Sequence, residues 1–522
     1  MINRSYISLI SIAAITFSIA VAAQTVEMSV KNDVSQPLSS VPTPALKAQA
    51  AFKKVHKVKR IPSPPTAQAA TADKLVQKVA SGVLPIGPIS VIEGIGEGLL
   101  VNGKSFFVTS FPADTTGAAG TTQYVQWVNT SLLVIDKASN NIVLGPVDGS
   151  VLWKGFGGNC EHNNDGDPIV LFDRTVRRWV LTQFAVSGTP FSQCIAVSKT
   201  EDATGAFNRY EFQYQDFNDY GKFGIWPDAY YASFNMFRGN AFLGSKVCSY
   251  EREKMITGGP ARMVCVDVAG QGGLVPSDFD GASAPPAGSP NYVMNLGGNR
   301  LNLWRFKTDW TNPGASTLTG PVNILTSPFQ QACPGGPTPG TCVPQPNTQQ
   351  RLDTLSDRLM YRLAYRNFGT HQSLVVTHSV AVTPTQAAVR WYEVRDPNGT
   401  PVVAQQGTYS PDTTSRWMGS AAMDKMGNLA MGYTVSSGST NPSIRVAGRL
   451  LSDPPGKLRM EKRVPAAAGK GAQRESDRWG DYSTMTLDPT DDCTFWYTAQ
   501  YQGKSDSDWH TAIMRFKFNV CQ

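Results

Sequence analysis

The stretch GDPIVLFDRTVRRWVLTQFA, residues 166–185, reads as two short apolar strands on either side of a polar turn. Its β-branched and aromatic runs suit strands, and Asp173 stands at the bend, where an Asx side chain bonds to the backbone just ahead. The pattern returns as GSAAMD and NLAMGYTV, residues 419–424 and 428–435. Polar turn residues of this kind fall at Asp173, Asn235, Asn295, Asn367, Asp424 and Asp488, at intervals of 62, 60, 72, 57 and 64 residues. A repeat of that size, with room for about four strands per unit, is that of a β-propeller. A shorter unit, YVQWVN followed by SLLVID with its turn near Asn129, precedes them.

Residues 83–522 hold about seven such units, or six if the short first one completes the last. The final unit stops at MRFKFNV, short of a fourth strand. A segment upstream of the first unit, residues 88–100 or 105–110, is therefore expected to close the ring. Composition agrees with an all-β chain: 17% of the 522 residues are charged, 47 are Gly and 35 are Pro, against roughly 25% charged in an average soluble protein.

The first residues, MINRSYISLISIAAITFSIAVAAQ, carry a basic n-region at Arg4, an apolar run and a small-residue site ending at Ala23. This is a signal peptide over residues 1–23, too short in its apolar run for a span of roughly 20 residues. No later segment is apolar enough to span a membrane, and export to the periplasm or exterior of a bacterial cell is expected. Eight cysteines then favour disulfides. Sequence does not fix their connectivity, but they fall into neighbours, and the expected bridges are Cys160 with Cys194, Cys248 with Cys265, Cys333 with Cys342, and Cys493 with Cys521. None has the CxxC spacing of a zinc or redox site.

Residues 24–82 are rich in Ala, Pro, Ser, Val and Lys and read as a disordered basic linker. The linker explains the charge. The net +7 divides into +1 in the leader, +6 in residues 24–82 and 0 beyond. The propeller itself is formally neutral, so no nucleic-acid partner is expected, and the domain is expected to be a monomer.

In a propeller the residues leading into each inner strand crowd around one channel mouth. Here they include Asp165, Asp167, Asp228, Asp357, Arg358, Arg416, Arg478 and Asp481. Arg358, Arg416 and Arg478 are placed to converge on one anion, since a guanidinium fork binds a carboxylate bidentately. Asp481 and Tyr482 beside them are candidates for proton transfer or nucleophilic attack. Trp417 and Trp479 could stack on a sugar face, and Asp228 joins the candidate ligand set. Equally, each Arg or Asp could pin one blade to the next, and each ring could wedge between blades. Glu161, Asn163, Asp165 and Asp167 alternate as oxygen ligands do around calcium, though without the rest of an EF-hand loop; a turn held by Asx hydrogen bonds reads the same. No other cofactor is expected. GIGEG at residues 94–98 opens no helix and is discounted as a dinucleotide loop.

The segments NNDGDPIVLFDRTVRRWVLTQFA, GIWPDAYYASFNMF, AYRNFGTHQSLVVTHSVAV, RWMGSAAMDKMGNLAMGYTVSS and RWGDYSTMTLDPTDDCTFWYTAQY resemble those of secreted bacterial propeller proteins of the sialidase-like (BNR-like) superfamily. The resemblance runs from about residue 120 to the end. Sialidases bind a carboxylate through three arginines and use a tyrosine nucleophile with an aspartate as acid/base; by that likeness Arg358, Arg416 and Arg478 form the triad, with Tyr482 and Asp481 for chemistry. The chain lacks an SxDxGxTW box, and its one match to the RIP motif, Arg60-Ile61-Pro62, lies in the linker. The leading expectation is a secreted binding module for an anionic glycan or other carboxylate-bearing ligand at the channel mouth. A sialidase-like glycoside hydrolase and a structural or adhesive surface protein are the alternatives.

Overall fold

The computed structural model describes residues 24–41, 59–62, 73–334, 340–506 and 508–522, together with the backbone of 54–55. The expected signal peptide lies outside the described residues. Among them, no helix is long and apolar enough to cross a membrane.

The chain is built from antiparallel meanders. Their first strands are Thr115–Ala119, Ile169–Asp173, Phe217–Ile225, Val275–Asp280, Met360–Asn367, Ser415–Met423 and Thr484–Leu487. Each of the first six is followed in order by its second, third and fourth strands, moving outwards, and Thr484–Leu487 by its second and third. First strands of successive meanders lie against one another, and Thr484–Leu487 returns to Thr115–Ala119, so the array closes on itself. This radial arrangement is that of a β-propeller. Apolar clusters fill the wedges between sheets: Trp127, Trp153 and Trp179 lie between the first two, and Met485, Phe495 and Tyr497 pack against Ala422 and Ala430. Because each sheet is covered on both faces, its strands read as nearly continuous apolar runs rather than clean alternations. IVLFD at Ile169–Asp173 is such a run.

The last meander has only three strands of its own, and its fourth is Ser90–Glu93, antiparallel to Trp509–Phe516 with Val91 opposite Met514 and Ile92 opposite Ile513. The expected closure from upstream is therefore found, within the first of the two segments proposed. All four expected disulfides are also formed. Cys248 and Cys265 sit directly opposite on neighbouring strands.

The linker reading needs correction. Gln24–Met28 pairs with Arg262–Ala269 and Lys31–Val34 with Phe207–Tyr214, each adding a fifth strand to a sheet's outer edge. Val76–Gln77 runs parallel to Val402–Tyr409. Asp73 is clamped by Arg390, with Nη1 at 2.9 Å from Oδ2. Outer edges of radial sheets leave unpaired backbone groups, and this arm covers several of them.

Candidate functional site

A cavity of about 250 Å³ opens at the channel mouth, lined by Asp114, Asp165, Asp167, Asp219, Tyr220, Leu355, Arg358, Arg478 and Asp481, with Lys59, Phe184, Val186, Ser187 and Phe217 completing the wall. Its shape follows from one backbone device. At or just before each inner strand one residue has φ in the left-handed region: Asp114 (44°), Asp167 (46°), Tyr220 (57°), Gly273 (63°), Leu355 (47°), Met418 (53°) and Asp481 (63°). A non-glycine residue there costs roughly 1–2 kcal/mol, and strain repeated at one place in a fold marks a constrained site. Asp114, Asp167, Tyr220, Leu355 and Asp481 of this ring all line the cavity.

The charges are paired within the wall. Arg358 donates from Nε and Nη2 to Asp357 at 2.8 and 3.1 Å, and its guanidinium lies 4.5 Å from the Tyr220 ring centre. Its loop is fixed by the Asp353 carboxylate, which accepts from the Leu355 amide at 2.8 Å, and by Ser356, which donates to Ala332 beside the Cys333–Cys342 bridge. Arg478 is paired with Asp481. The Gln473 side chain donates to the Arg478 carbonyl at 2.6 Å and holds that turn. Beneath Tyr220, the wholly buried Lys222 places its ammonium 3.6 Å from the Tyr220 ring centre and 3.9 Å from that of Tyr482.

Burial raises the pKa of the Asp114 carboxyl well above the usual range, and the negative charges of Asp481 and Asp167 add to it. Asp167 is raised for the same first reason, with the Lys222 ammonium opposing. Asp219 is pushed up to about 7 by burial and by Asp167, while burial lowers Lys222 to about 8. Oδ1 of Asp114 and of Asp481 are buried without a hydrogen-bond partner. The mouth thus gathers several carboxyl groups and two guanidinium groups within one small volume.

A raised carboxyl pKa favours the native state when the group is protonated. Its contribution is complete below the unfolded value of about 3.9 and is lost as pH rises through the folded value. The melting temperature of the protein is therefore expected to fall between pH 5 and pH 8. In Asp219→Asn the fall should be smaller, with the variant more stable than the parent at pH 8; calorimetry at both pH values checks this, and equal falls would remove the assignment.

Several sequence-predicted residues lie elsewhere. Arg416 is wholly buried, bound to Glu461 at 2.8 and 3.0 Å and to Asp412 at 2.9 and 3.1 Å, and does not reach the cavity. The expected triad is therefore reduced to Arg358 and Arg478. Trp417 and Trp479 are both 0% exposed and pack on each other at 6.1 Å, so neither presents a face to a sugar. Asp228 accepts from the Tyr231 hydroxyl at 2.9 Å, outside the cavity wall, and is pushed up to about 6 by burial. Tyr482 is buried with its hydroxyl donating to the Pro168 carbonyl at 3.1 Å, and burial holds it protonated; it does not face the cavity as a nucleophile must.

The calcium set is not assembled. Glu161 accepts from the Gly155 and Gly157 amides at 2.9 and 2.6 Å. Asn163 donates to the Asn159 carbonyl at 3.1 Å. Asp165 is held by the Val186 and Ser187 amides at 2.6 and 2.8 Å, and Asp167 by the Tyr220 amide at 3.2 Å. Among the described residues no group of three or more His, Cys, Asp or Glu side chains is placed to hold a metal ion.

Asp114, Asp219, Tyr220 and Lys222 were not singled out from the sequence. A signal existed: ADTTG, GDPIV, NDYGK and GDYST each place an aspartate within three residues of the start of an inner strand or at its bulge.

The sequence matches no protein-family model and no curated relative. Solved structures similar in fold include an α-L-arabinofuranosidase from Fusarium graminearum at 8% identity, covering 78% of this chain and 93% of that one with a TM-score of 0.37. An exo-β-1,3-galactanase from Clostridium thermocellum aligns at 10% identity over 68% and 83% of the two chains, with a TM-score of 0.31. A sialidase from Trypanosoma rangeli aligns at 10% identity over 67% and 54%, also with a TM-score of 0.31. Carbohydrate-active enzymes are thus among the chains of similar fold, and the functional reading rests on the site itself.

Proposed function

We propose that this protein is an exported, disulfide-stabilised binding module, a single seven-bladed propeller that holds a glycan at its channel mouth. The observation that carries the reading is the cavity in which Asp114, Asp167, Asp219 and Asp481 face Tyr220, Arg358 and Arg478. A sugar presents adjacent hydroxyl groups that both donate and accept, and carboxylates beside guanidinium groups satisfy both roles. With Arg416 absent from the mouth, and Arg358 and Arg478 each carrying an aspartate, the favoured ligand shifts from an anionic to an uncharged or amino-bearing glycan.

A second reading, a glycoside hydrolase, is supported by one feature: Asp219, with a pKa near 7, is poised as a general acid beside other carboxyl groups. An oligosaccharide array and a panel of chromogenic glycosides separate the two. The binding reading expects at least one oligosaccharide retained without turnover, weakened at least tenfold by Asp481→Asn and unchanged by Asp228→Asn. Turnover abolished by Asp219→Asn would replace it with the hydrolase, and no retention by the parent protein would end it.

A further inference from the structure

Two described pieces of the arm lie beside the channel mouth. The backbone of residues 54–55 runs parallel to 110–111, just before Asp114. Residues 59–62 lie against the sheets that begin with Phe217–Ile225 and Val275–Asp280. Lys59 donates to the Gly239 carbonyl at 3.0 Å, with its ammonium 5.0 Å from the Phe217 ring centre and 5.2 Å from that of Phe237. Arg60 is paired at 2.5 Å with Asp353, whose side chain is 1% exposed. Ile61 is buried against Gly272 and Gly273; a Cβ on Gly273 would meet Ile61 Cδ1 at 3.2 Å and the Arg358 Cβ at 2.7 Å. The absence of a side chain at Gly273 therefore makes room for the arm and for the base of Arg358 together.

Lys59 and Phe217 also line the cavity with Asp165, Asp167 and Asp219. Two aromatic faces and a carbonyl oxygen around an ammonium group are the elements by which proteins recognise cations. We infer that Phe217, Phe237 and the Gly239 carbonyl form a rim subsite for a primary ammonium group, held in this structure by Lys59 as an internal ligand. An amino-bearing glycan placed in the cavity would displace Lys59 and seat its own ammonium there. This ligand class rests on the glycan reading; the ammonium subsite does not.

The test uses the full exported chain and its Lys59→Ala variant, with two probes. In an NMR titration, n-butylammonium chloride alone is expected to bind Lys59→Ala at least tenfold more tightly than the parent, and the gain should vanish in Lys59→Ala/Phe217→Leu. Equal binding by the parent and Lys59→Ala, or a gain that survives loss of Phe217, overturns the subsite. In calorimetry, a glucosamine trimer is expected to bind Lys59→Ala at least tenfold more tightly than its N-acetylated counterpart does. Butylammonium binding as expected with neither trimer bound would keep the subsite and overturn the glycan ligand. Equal affinity for the two trimers would overturn the amino-sugar assignment.

Discussion

Arg416→Ala is expected to lower the unfolding free energy by about 3 kcal/mol, the lower end of the range for breaking a buried ion pair, while leaving ligand binding at the mouth unchanged. Substitution strips two hydrogen bonds from Glu461, which keeps the hydroxyl of Tyr433 at 2.6 Å and its pairing with Arg445. Those survivors are why the loss is not larger. Glu461 is held below the usual carboxylate range by Arg416, against the opposing effect of burial. Its contribution is present above the unfolded pKa and is lost as pH falls through the folded one. The gap between parent and variant in a denaturant titration should therefore be full at pH 7 and shrink below about pH 4. A variant of parental stability that fails to bind would restore Arg416 to the binding site.

Val91→Pro/Ile92→Pro carries the other large effect. Successive residues of a strand direct their N–H groups to opposite sides, so two adjacent prolines remove at least one donor to Trp509–Phe516 whatever the register. Ile92 also packs against the cluster containing Trp496 and Trp509, and Val91 against that containing Met514 and Phe516. A loss of about 1–3 kcal/mol from the unsatisfied ladder acceptor alone is expected, with the lost packing adding to it and amide exchange accelerated first along Trp509–Phe516. Unchanged exchange there would mean that the ring is held shut by its apolar wedges alone.

The repeat was legible because Asx residues do stand after the first strand of several sheets: Asp173, Asp424 and Asp488 accept backbone amides two residues on. Asn235 and Asn295 obey another rule. Both lie within second strands, where Asn235 accepts from the Gly273 amide at 2.9 Å and Asn295 donates to the Gly272 carbonyl at 3.0 Å. They tie their strands to the turn that leads into Val275–Asp280, a contact between separated segments that local spacing does not reveal. The left-handed residues form another series, with three steps of 53, one of 82 and two of 63 residues. Only glycine and aspartate advertise that conformation, and Tyr220, Leu355 and Met418 do not.

The failure at Arg416 has an equally local cause. RWMG and RWGD look alike, yet Arg416 stands two residues before its left-handed residue, Met418, and Arg478 three before Asp481. In extended chain one position reverses the direction of a side chain. Arg416 points into its own sheet and Arg478 into the mouth. Lys222 was hidden for a different reason: a lone lysine in an apolar run gives no sign that Tyr220 and Tyr482, far apart in sequence, will enclose it.

The pairing of Val91 with Met514 also sets an order of events. Contacts between such distant positions are slow to form, because the intervening chain must first be brought together. A chain synthesised amino end first would lay down sheet after sheet while Ser90–Glu93 waits, its edge unpaired, until Trp509–Phe516 arrives. Through that interval the waiting strand is the segment most open to association with another copy, and it is where a chaperone would do most good.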